Sequence, residues 1–494
     1  MFVAGFLCYN KRKMSYEIAH RGELKWSTMA TYAVLFLIFL FSGYFDILVT
    51  RGYFDFFPQD VLDTVGVVTG TIFSLWWLWS FLVIAVIANY VWIAYRVYLF
   101  KMNLPFVILE LRIPREVRKT PRAMEQVLMS IHSLRNSAGN PKERWWDGEV
   151  TFWFSFEVVR HQGEIHFYAR VPKGRRNIVE AALYAQYQDI EIVEVEDYID
   201  QVPATPEEIE KKGYNFFGTE LRLEKPDEYP IRTFEDFASP AEEKELDPIS
   251  TLLETLGKLT RDETVWVQIL FRPVGDSWRK KGVETIAELK DKFARRKQEI
   301  EGGFTFSFPA PGETDLLKMI DKNISKPGFE TLIRYIYFAP KAIYSDSFPR
   351  RGLLGAFNQY ASESLNKFAH NIFSWTRADL WNKPHFFWKR RLKARKKMMM
   401  RNYRRRLMLN EMRTTTLLEK NIFYSGFKAN KLGRMTLNAE ELATVFHLPT
   451  NLVLTGPLIK REDARKIGPP AGLQIFGNDE DILPGVKPKK NEEK

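Results

Sequence analysis

Two long stretches without charged side chains dominate the first hundred residues of the sequence. Residues 29–45 carry no charge, and residues 64–95 form a longer uncharged run rich in Trp, Leu, Ile and Val. A helix needs about 20 apolar residues to cross the hydrocarbon core of a bilayer. The first run continues past Asp46 to Val49, so both stretches are long enough. A buried core helix resembles one such stretch, but two in succession predict a transmembrane hairpin over residues 29–95.

Positive charges place both ends of this hairpin on the same side of the membrane. The flanking basic residues are Lys11, Arg12, Lys13, Arg21 and Lys25 before the first span and Arg96, Lys101, Arg112, Arg115, Arg118 and Lys119 after the second. The loop between the spans holds only Arg51, beside Asp55, Asp60 and Asp63. Because loops rich in Lys and Arg stay in the cytoplasm, we predict a two-pass protein with both termini cytoplasmic. Residues 1–28 then form a cytoplasmic N-terminal segment.

After the second span the pattern changes to short strands and helices. The predicted strands and helices follow the order β-α-β-β-α-β, which is typical of the split β-α-β or ferredoxin-like unit. Gln162 and Gly163 form the hairpin turn between its two central strands, and Thr120 caps its first helix. The predicted strands are 106–114, 149–160, 164–172 and 189–197, and the helices are 120–134 and 175–188. We assign this first ferredoxin-like domain to residues 96–200.

A second unit of the same kind is predicted for residues 201–380. Its predicted strands are 216–224, 264–274 and 330–340, and its helices are 248–259 and 352–370. A charged helix at 283–300 resembles an insertion, and the pattern does not identify a fourth strand. The fold class predicted from the sequence is therefore α+β, with two N-terminal transmembrane helices, tandem ferredoxin-like domains and a basic helix.

The net charge of the chain comes from one short segment. The chain has 72 Lys and Arg against 61 Asp and Glu, and residues 389–406 hold 11 basic residues and no acidic one. Removing this segment leaves 61 residues of each sign. The basic residues are Lys389, Arg390, Arg391, Lys393, Arg395, Lys396, Lys397, Arg401, Arg404, Arg405 and Arg406. Residues 381–433 are thus predicted to be a basic helical segment.

Three interpretations of this basic helix remain open. The helix contacts anionic lipid, or it holds the phosphates of a nucleic acid. In the third interpretation its apolar stripe packs on the chain's own domain and its charges face an acidic partner. That stripe consists of Trp388, Leu392, Met399, Tyr403 and Leu407. No aromatic side chains for base stacking alternate with the charges, which favours lipid or packing over nucleic acid.

The sequence offers no pattern typical of an active site. It contains no G-x-x-x-x-G-K-[ST] phosphate-binding motif, and its one cysteine, Cys8, excludes a disulfide framework and a Cys-based zinc cluster. His161 and His166 have no third ligand nearby, so we interpret them as exposed strand-end residues. The acids at 191–197 are interpreted as a solvated strand face. We predict no catalytic, cofactor-binding or metal-binding residues; an enzyme would instead show a deep polar pocket with perturbed carboxylates.

A capped helix near the end of the chain is the last predicted element. Asn438 and Glu441 have the spacing of a capping box, Leu442, Val445 and Phe446 give an apolar face, and Pro449 ends the helix. These features are typical of a helix that either faces a partner or packs in a core. We assign residues 434–473 to this helix and the Pro-rich stretch after it, and residues 474–494 to a disordered tail.

The amino-acid sequence of this segment resembles that of a known family. LNAEELATVFHLP (437–449), followed by REDARKIGPPAGL (461–473), is similar to the junction in bacterial type IV secretion or conjugation-like membrane proteins that leads into a HerA/FtsK-type ATPase domain. The stretch GEIHFYARVPKGRRNIVEAALYAQYQDIEIVEVEDY (163–198) is similar to that family's membrane-proximal region. The resemblance implies a docking role for Glu441, Leu442, Val445, Phe446, His447 and Pro449. It also implies a bacterial cytoplasmic membrane and ring-like homo-oligomers.

The sequence departs from that family where the motor domain would begin. Leu473 is followed by Gln474 and Ile475, and the sequence ends 20 residues after Gln474. Either the chain is a motorless member or it is truncated; the ending KPKKNEEK favours the former. The resemblance thus implies a non-catalytic membrane subunit that acts as a scaffold for a separate ATPase, with membrane lipid and DNA as further partners. The alternative is a membrane-tethered nucleic-acid-binding protein that uses residues 389–406.

Overall fold

A long helix leads directly into a sheet. The computed structural model describes residues 76–114, 119–137, 139–237, 247–301, 311–362, 365–377, 387–406 and 435–450, together with positions 67, 71, 74, 408, 461 and 462. Helix α1 (Trp76–Asn103) is followed after two residues by the first strand. Over this part of the chain, no helix has the length and apolarity that a bilayer span requires. The first predicted span lies outside the described residues and the second only partly within them.

The first half of the sheet has the strand order of a split β-α-β unit. Its elements are β1 (Phe106–Pro114), α2 (Pro121–Ser133), β2 (Phe154–His161), β3 (Glu164–Pro172), α3 (Arg176–Gln186) and β4 (Glu191–Val195). The strands lie in the order β4-β1-β3-β2, and each neighbouring pair is antiparallel. At the hairpin turn, Gln162 and Gly163 both have positive φ, as a tight two-residue turn requires.

The second half repeats this order with an insertion. Its elements are α4 (Pro206–Lys211), β5 (Tyr214–Leu223), α5 (Phe234–Phe237), α6 (Ser250–Gly257), β6 (Thr264–Pro273), α7 (Ser277–Glu301), α8 (Pro311–Ser325), β7 (Gly328–Pro340), α9 (Leu354–Asn358) and β8 (Phe368–His370). The antiparallel order is β6-β7-β5-β8. Helices α7 and α8 are inserted between β6 and β7, and β8 is the fourth strand that the sequence pattern does not identify.

The two halves share one sheet, because their second strands pair with each other. β2 and β6 are antiparallel neighbours from Phe154↔Phe271 to Arg160↔Val265. The sheet therefore runs β4-β1-β3-β2-β6-β7-β5-β8, and a single hydrophobic cluster contains side chains from both halves. The mixed α+β class is as predicted, and the structure adds that the strands form one large, mainly antiparallel sheet. The picture of two separate tandem domains is corrected, since the paired edges of β2 and β6 leave no gap between them.

The two faces of the sheet are covered differently. On one face, α2, α3 and α6 pack on the alternating apolar side chains of the strands. The other face carries Trp266, Ile336 and Phe338, and helix α10 (Trp388–Arg404) packs across them. Period-two alternation assigns each strand residue to one face, so the basic helix and the helical layer bury opposite sides of the same strands.

The chain returns to this core near its end. Strand β9 (Met435–Asn438) pairs with residues 328–331 of β7, and helix α11 (Ala439–Val445) packs against α2. A two-residue strand, β10 (Arg461–Glu462), pairs in parallel with the end of β1. Residues 437–449 and 461–462, which belong to the segment that resembles the junction before an ATPase domain, are thus part of the sheet and its helical layer.

The predicted helix at residues 352–370 is wrong over most of its length. A π-helical turn (Phe348–Leu353) and the short α9 are followed by non-helical chain and by β8. The buried Asn366 side chain explains the break. Its amide donates to the carbonyl oxygens of Lys225, Pro226 and Tyr229 and accepts from the Lys225 N–H. These tertiary hydrogen bonds hold the chain extended where local propensity favours a helix.

Removing the aromatic ring at the centre of the C-terminal segment tests its place in the core. The Phe446 ring is fully buried and stacks on Phe156 with a centroid distance of 4.5 Å. We expect Phe446→Ala to lower the free energy of unfolding by about 3–5 kcal/mol, because the change leaves a cavity. Urea titration of the full chain in detergent measures it. The control Val283→Ala, at a position 55% exposed, should change the value by less than about 0.5 kcal/mol. Equal stability of the two variants would contradict the burial.

Candidate functional site

The basic helix α10 is held against the sheet by its apolar stripe. Tyr403 and Met399 are buried, and the Tyr403 ring lies 5.3 Å from that of Trp266. A Cβ atom at Gly218 would lie only 2.7 Å from Met399 Cγ, so glycine allows the close approach of helix and strand. Of the predicted stripe, Trp388 and Leu392 are half-buried, and Leu407 lies outside the described residues.

A buried carboxylate at the seam between the halves receives the end of this helix. Glu157 lies in the middle of β2, and Arg406 donates to both of its oxygens, at 2.7 and 3.0 Å. The same guanidinium donates to Asp197 at 2.6 and 3.1 Å. Burial would raise the pKa of Glu157, but the charge and hydrogen bonds of Arg406 hold that pKa below its ordinary value. The Arg406 backbone has φ +48°, a left-handed conformation that turns the chain off the helix axis.

Neutral donors from both halves complete the shell of Glu157. Ser155 donates to it at 2.7 Å, Tyr198 at 2.7 Å and, from across the seam on β6, Gln268 at 3.0 Å. The hydroxyl of Tyr403 lies 2.9 Å from that of Tyr198, and since Tyr198 donates to Glu157, Tyr403 is the donor of this pair. One carboxylate therefore joins β2, β6, the segment after β4 and helix α10.

A second buried ion pair lies further along the same face. Arg334 of β7 and Glu220 of β5 are both buried, with Arg334 Nη2 at 3.3 Å from Glu220 Oε1. Burial raises the pKa of Glu220, and the Arg334 charge opposes that rise. Arg334 also donates to the carbonyl oxygen of Asn402 at 2.6 Å. The helix backbone is thus bonded to a charge that is itself fixed in the sheet.

Several cations of α10 contact acids of the chain's own segment 197–210. Lys396 donates to Glu210 at 2.8 Å, and Lys393 lies 3.0 Å from Glu207. Arg404 donates to the Ile199 carbonyl oxygen at 3.0 Å. The third interpretation of the basic helix, an apolar stripe on its own domain, describes this packing. The acidic groups that face the helix thus include Glu207 and Glu210 of the same chain.

The eleven predicted contact residues divide into three groups by exposure. Arg391, Lys396 and Arg406 are buried, Arg395, Arg401 and Arg404 are half-buried, and Lys389, Arg390, Lys393, Lys397 and Arg405 are exposed. The buried and half-buried groups cannot all contact lipid or DNA while the helix stays packed. We call Lys389, Lys393, Lys397, Arg401 and Arg405 the outer row, because they follow one another at four-residue spacing; four of them are exposed and Arg401 is half-buried.

The six predicted docking residues lie in the core. Glu441, Leu442, Val445, Phe446, His447 and Pro449 are all buried. The predicted capping box is present, with the Glu441 N–H donating to Asn438 Oδ1 at 2.7 Å and the Asn438 N–H to Glu441 Oε2 at 2.8 Å. His447 Nε2 lies 2.6 Å from Asp247 Oδ1. Of the two interpretations of this helix, the one that packs it in a core describes its position, because the apolar face covers α2 and the sheet.

A cleft of about 300 Å³ opens beside the β2–β3 hairpin. Tyr168, Tyr198 and Trp266 form part of its wall, with His161 and His166 at the hairpin end. Both histidines are half-buried, which corrects the prediction that they are exposed. A hydrogen bond with His166 is the main cause that lowers the pKa of Glu110 to about 2. Within the described ranges, no group of three or more potential metal ligands is found.

These features define a class: a two-halved α+β protein on one continuous antiparallel sheet, with a basic helix bound across the seam. Residues 105–458 match the model of a family described as Domain of unknown function (DUF8128), and the chain belongs to that family. The matched range contains both halves of the sheet, the basic helix and the C-terminal core segment. A comparison with the curated proteins finds no match.

Sequence reasoning missed Glu157, Gln268 and Asp197 as the partners of the basic helix. A usable signal was present for one of them. Glu157 is the only charge in the stretch FWFSFEVV (152–159), where every neighbour is apolar or small. A single carboxylate in a strand buried on both faces requires a charged partner from elsewhere.

A double-mutant cycle tests the coupling between Arg406 and Glu157. We expect Arg406→Met to cost about 3–5 kcal/mol of unfolding free energy, because it leaves a buried carboxylate without its counter-charge. Combined with Glu157→Gln, the loss should be well below the sum of the single losses. Urea unfolding of all four chains measures the coupling. The exposed pair Lys393 and Glu207 is the control, with a coupling below about 1 kcal/mol; equal couplings would contradict a buried network.

The pH dependence of stability tests the burial of Glu441. Burial raises the pKa of this carboxyl from 4.5 to about 8. Between these values the unfolded chain loses the proton and the folded chain keeps it, so this group lowers stability as pH rises from about 5 to 8. Glu441→Gln should therefore gain stability relative to the wild type across that window, by up to about 1.4 kcal/mol per pH unit. The exposed Glu284→Gln should show a constant difference, and a constant difference for Glu441→Gln would contradict the raised pKa.

Proposed function

We propose that this chain is a non-catalytic, membrane-anchored subunit of a bacterial type IV secretion or conjugation-like apparatus and serves as a platform for a separate HerA/FtsK-type ATPase. The sequence resemblance supports the apparatus, and the two uncharged stretches in residues 29–95 support the anchor. The observation that carries the platform is the outer row of α10, a line of cations on a helix that buried charges hold in place.

The geometry of the outer row suits an acidic protein surface. Four-residue spacing on a helix places successive side chains about 6 Å apart, so the row extends over about 24 Å. Like charges at this spacing destabilise an isolated helix by a few tenths of a kcal/mol per pair. Lys389, the first residue of the row, also lies at the N-terminus together with Arg390, where the helix dipole disfavours cations. An acidic partner surface would remove both penalties.

Burial of the described part of the C-terminal segment favours the outer row over residues 437–449 as the proposed contact. Docking through Phe446 or Leu442 would require the C-terminal segment to leave the core. The chain would then lose the free energy that the burial of several side chains contributes to folding. Contact through the outer row leaves the core intact and would disturb only the exposed ion pair of Lys393 with Glu207 among the contacts described above. For the same reason, deleting residues 437–473 is unsuitable as a docking test, because it removes β9 and α11 from the fold.

The second candidate function, nucleic-acid binding by a membrane-tethered protein, uses the same outer row. A row of cations, four of them exposed, also fits the phosphates of a DNA strand, and such binding weakens steeply with salt. The two functions differ in what the row contacts, so one set of variants tests both.

Charge reversal along the outer row tests the platform. The variant combines Lys389→Glu, Lys393→Glu, Lys397→Glu and Arg405→Glu, all exposed positions. We expect it to lose cross-linking to a Walker-motif ATPase in native membranes while its unfolding transition stays close to that of the wild type. The matched control carries the same charge change on α7, through Arg279→Glu, Lys280→Glu, Lys290→Glu and Lys292→Glu, and should keep the cross-link.

Two results would contradict this proposal. DNA affinity of the full chain that falls with salt at a slope of several units, and is lost in the outer-row variant alone, would favour the nucleic-acid function. Nucleotide hydrolysis by the purified wild-type chain would contradict a non-catalytic role. Fluorescence anisotropy with a short DNA duplex and a phosphate-release assay provide these measurements.

A further inference from the structure

A short aromatic turn is fixed against the side of helix α1. The π-helical turn (Glu143–Asp147) brings Trp145 and Trp146 back to a helix that precedes them by about 50 residues. Trp92 Nε1 donates to the Trp145 carbonyl oxygen at 2.8 Å, and Arg96 Nε donates to that of Trp146. The Trp92 and Trp146 rings meet edge to face at 5.9 Å. The position of the turn on the helix is therefore specific.

Gly148 makes this close approach possible. It has φ +67°, and a Cβ atom there would lie 2.4 Å from the carbonyl carbon of Arg96. Any other residue would both strain the backbone and push the turn away from the helix. A substitution at this glycine is thus a means of detaching the turn.

The side chains gathered here expose large aromatic rings. Trp92, Tyr95, Trp145 and Trp146 are between 41% and 61% exposed; we call these four residues the aromatic collar. Contiguous exposed rings of this size mark a surface that contacts a partner or a membrane. Trp and Tyr are the residues enriched at the lipid–water boundary, where the ring lies among headgroups and the polar atom reaches water.

The level of the collar on the helix identifies the occupant as lipid. Trp92 and Tyr95 belong to the last turn of the uncharged run 64–95, and Arg96 is the first charge after it. The folded-back turn adds Trp145 and Trp146 at that same level, with Arg144 beside them. Aromatic rings next to arginine, placed where an apolar helix becomes charged, match the headgroup layer of an anionic bilayer.

We propose that the aromatic collar lies in the lipid headgroup layer and fixes the height of the sheet below the membrane. This inference rests on the membrane anchor of the proposed function. From Trp92 to Asn103 the helix rises about 16 Å, whereas the headgroup layer is only about 5–8 Å thick on each side. The sheet therefore begins roughly 10 Å beyond the lipid.

The helix and the sheet are joined rigidly enough for the collar to set this height. Only Leu104 and Pro105 separate α1 from β1. The Phe100 ring stacks on Phe152 at 6.5 Å, and the Phe106 ring lies 5.0 Å from that of Trp153. Contacts on both sides of the two-residue link oppose bending at that point.

Depth-dependent quenching in vesicles tests the collar. Cys8→Ser removes the one native thiol, and Trp146→Cys provides a single labelling site on the full chain. In vesicles of phosphatidylethanolamine and phosphatidylglycerol, we expect a polarity-sensitive label there to shift its emission to shorter wavelength. It should be quenched more by a headgroup-bound quencher than by one deep in the acyl chains. The control label at Lys290→Cys, on the exposed side of α7, should show neither effect.

The outcomes separate the collar from the anchor. Adding Gly148→Val to the labelled chain should reduce the headgroup quenching, because the turn detaches from α1, while flotation with the vesicles is kept. Flotation without quenching at position 146, or a shifted emission that no lipid quencher affects, would overturn the collar and leave the anchor intact. A chain that does not float with vesicles at all would overturn the anchor itself.

Discussion

The contact between Arg406 and Glu157 is the constraint on which the rest of this structure depends. Glu157 lies at the seam, accepts a hydrogen bond from Gln268 of the other half and is neutralised by Arg406, two residues after the end of α10. An unpaired carboxylate at this depth would cost several kcal/mol. The first half, the second half and the basic helix therefore reach their folded positions together. Such a network specifies one arrangement more than it adds stability, since an apolar seam would bury the same strands.

The continuous sheet prevents the two halves from rotating against each other. Tandem domains joined by a linker rotate against each other by default. Here the hydrogen bonds between β2 and β6 run from Phe154 to Arg160, and rotation of the halves would break all of them at once. The C-terminal segment adds a further restraint, because β9 extends the sheet beside β7 while α11 covers the helical layer of the first half. The two halves therefore form one rigid body.

Local patterns in the sequence predicted the elements of the first half well, and tertiary contacts explain the failures. Strands β1 and β3 have the predicted bounds, because alternating apolar residues and a two-residue turn are local signals. The pairing of β2 with β6 is not local; the only hint in the sequence is that FWFSFEVV and VWVQILF have apolar residues on both faces, as in central strands. Strand β8 has three residues and depends on Asn366, far from any periodic pattern.

The same contrast between local and tertiary signals explains why only part of the candidate site was predicted. The position and apolar stripe of the basic helix follow from its spacing, and the capping box of Asn438 and Glu441 follows from two residues. The acids that pair with the cations of the helix belong to residues 157–210; of these, the pattern singled out only the acids at 191–197, as a solvated strand face. Burial of the C-terminal helix could not be predicted either, because an apolar face at helical spacing is the same whether a partner or the chain's own core covers it.

The division of the basic segment into inner and outer cations has a consequence for its role. Charges buried with their partners are little affected by salt, whereas exposed charges are screened over a Debye length of about 8 Å at physiological ionic strength. The outer-row side chains are only about 6 Å apart along the helix. At that spacing they act on a partner as one band of positive charge, while the inner cations keep the helix in place. The proposed partner would therefore bind to and leave the outer row as ionic conditions change, without loosening the fold that presents it.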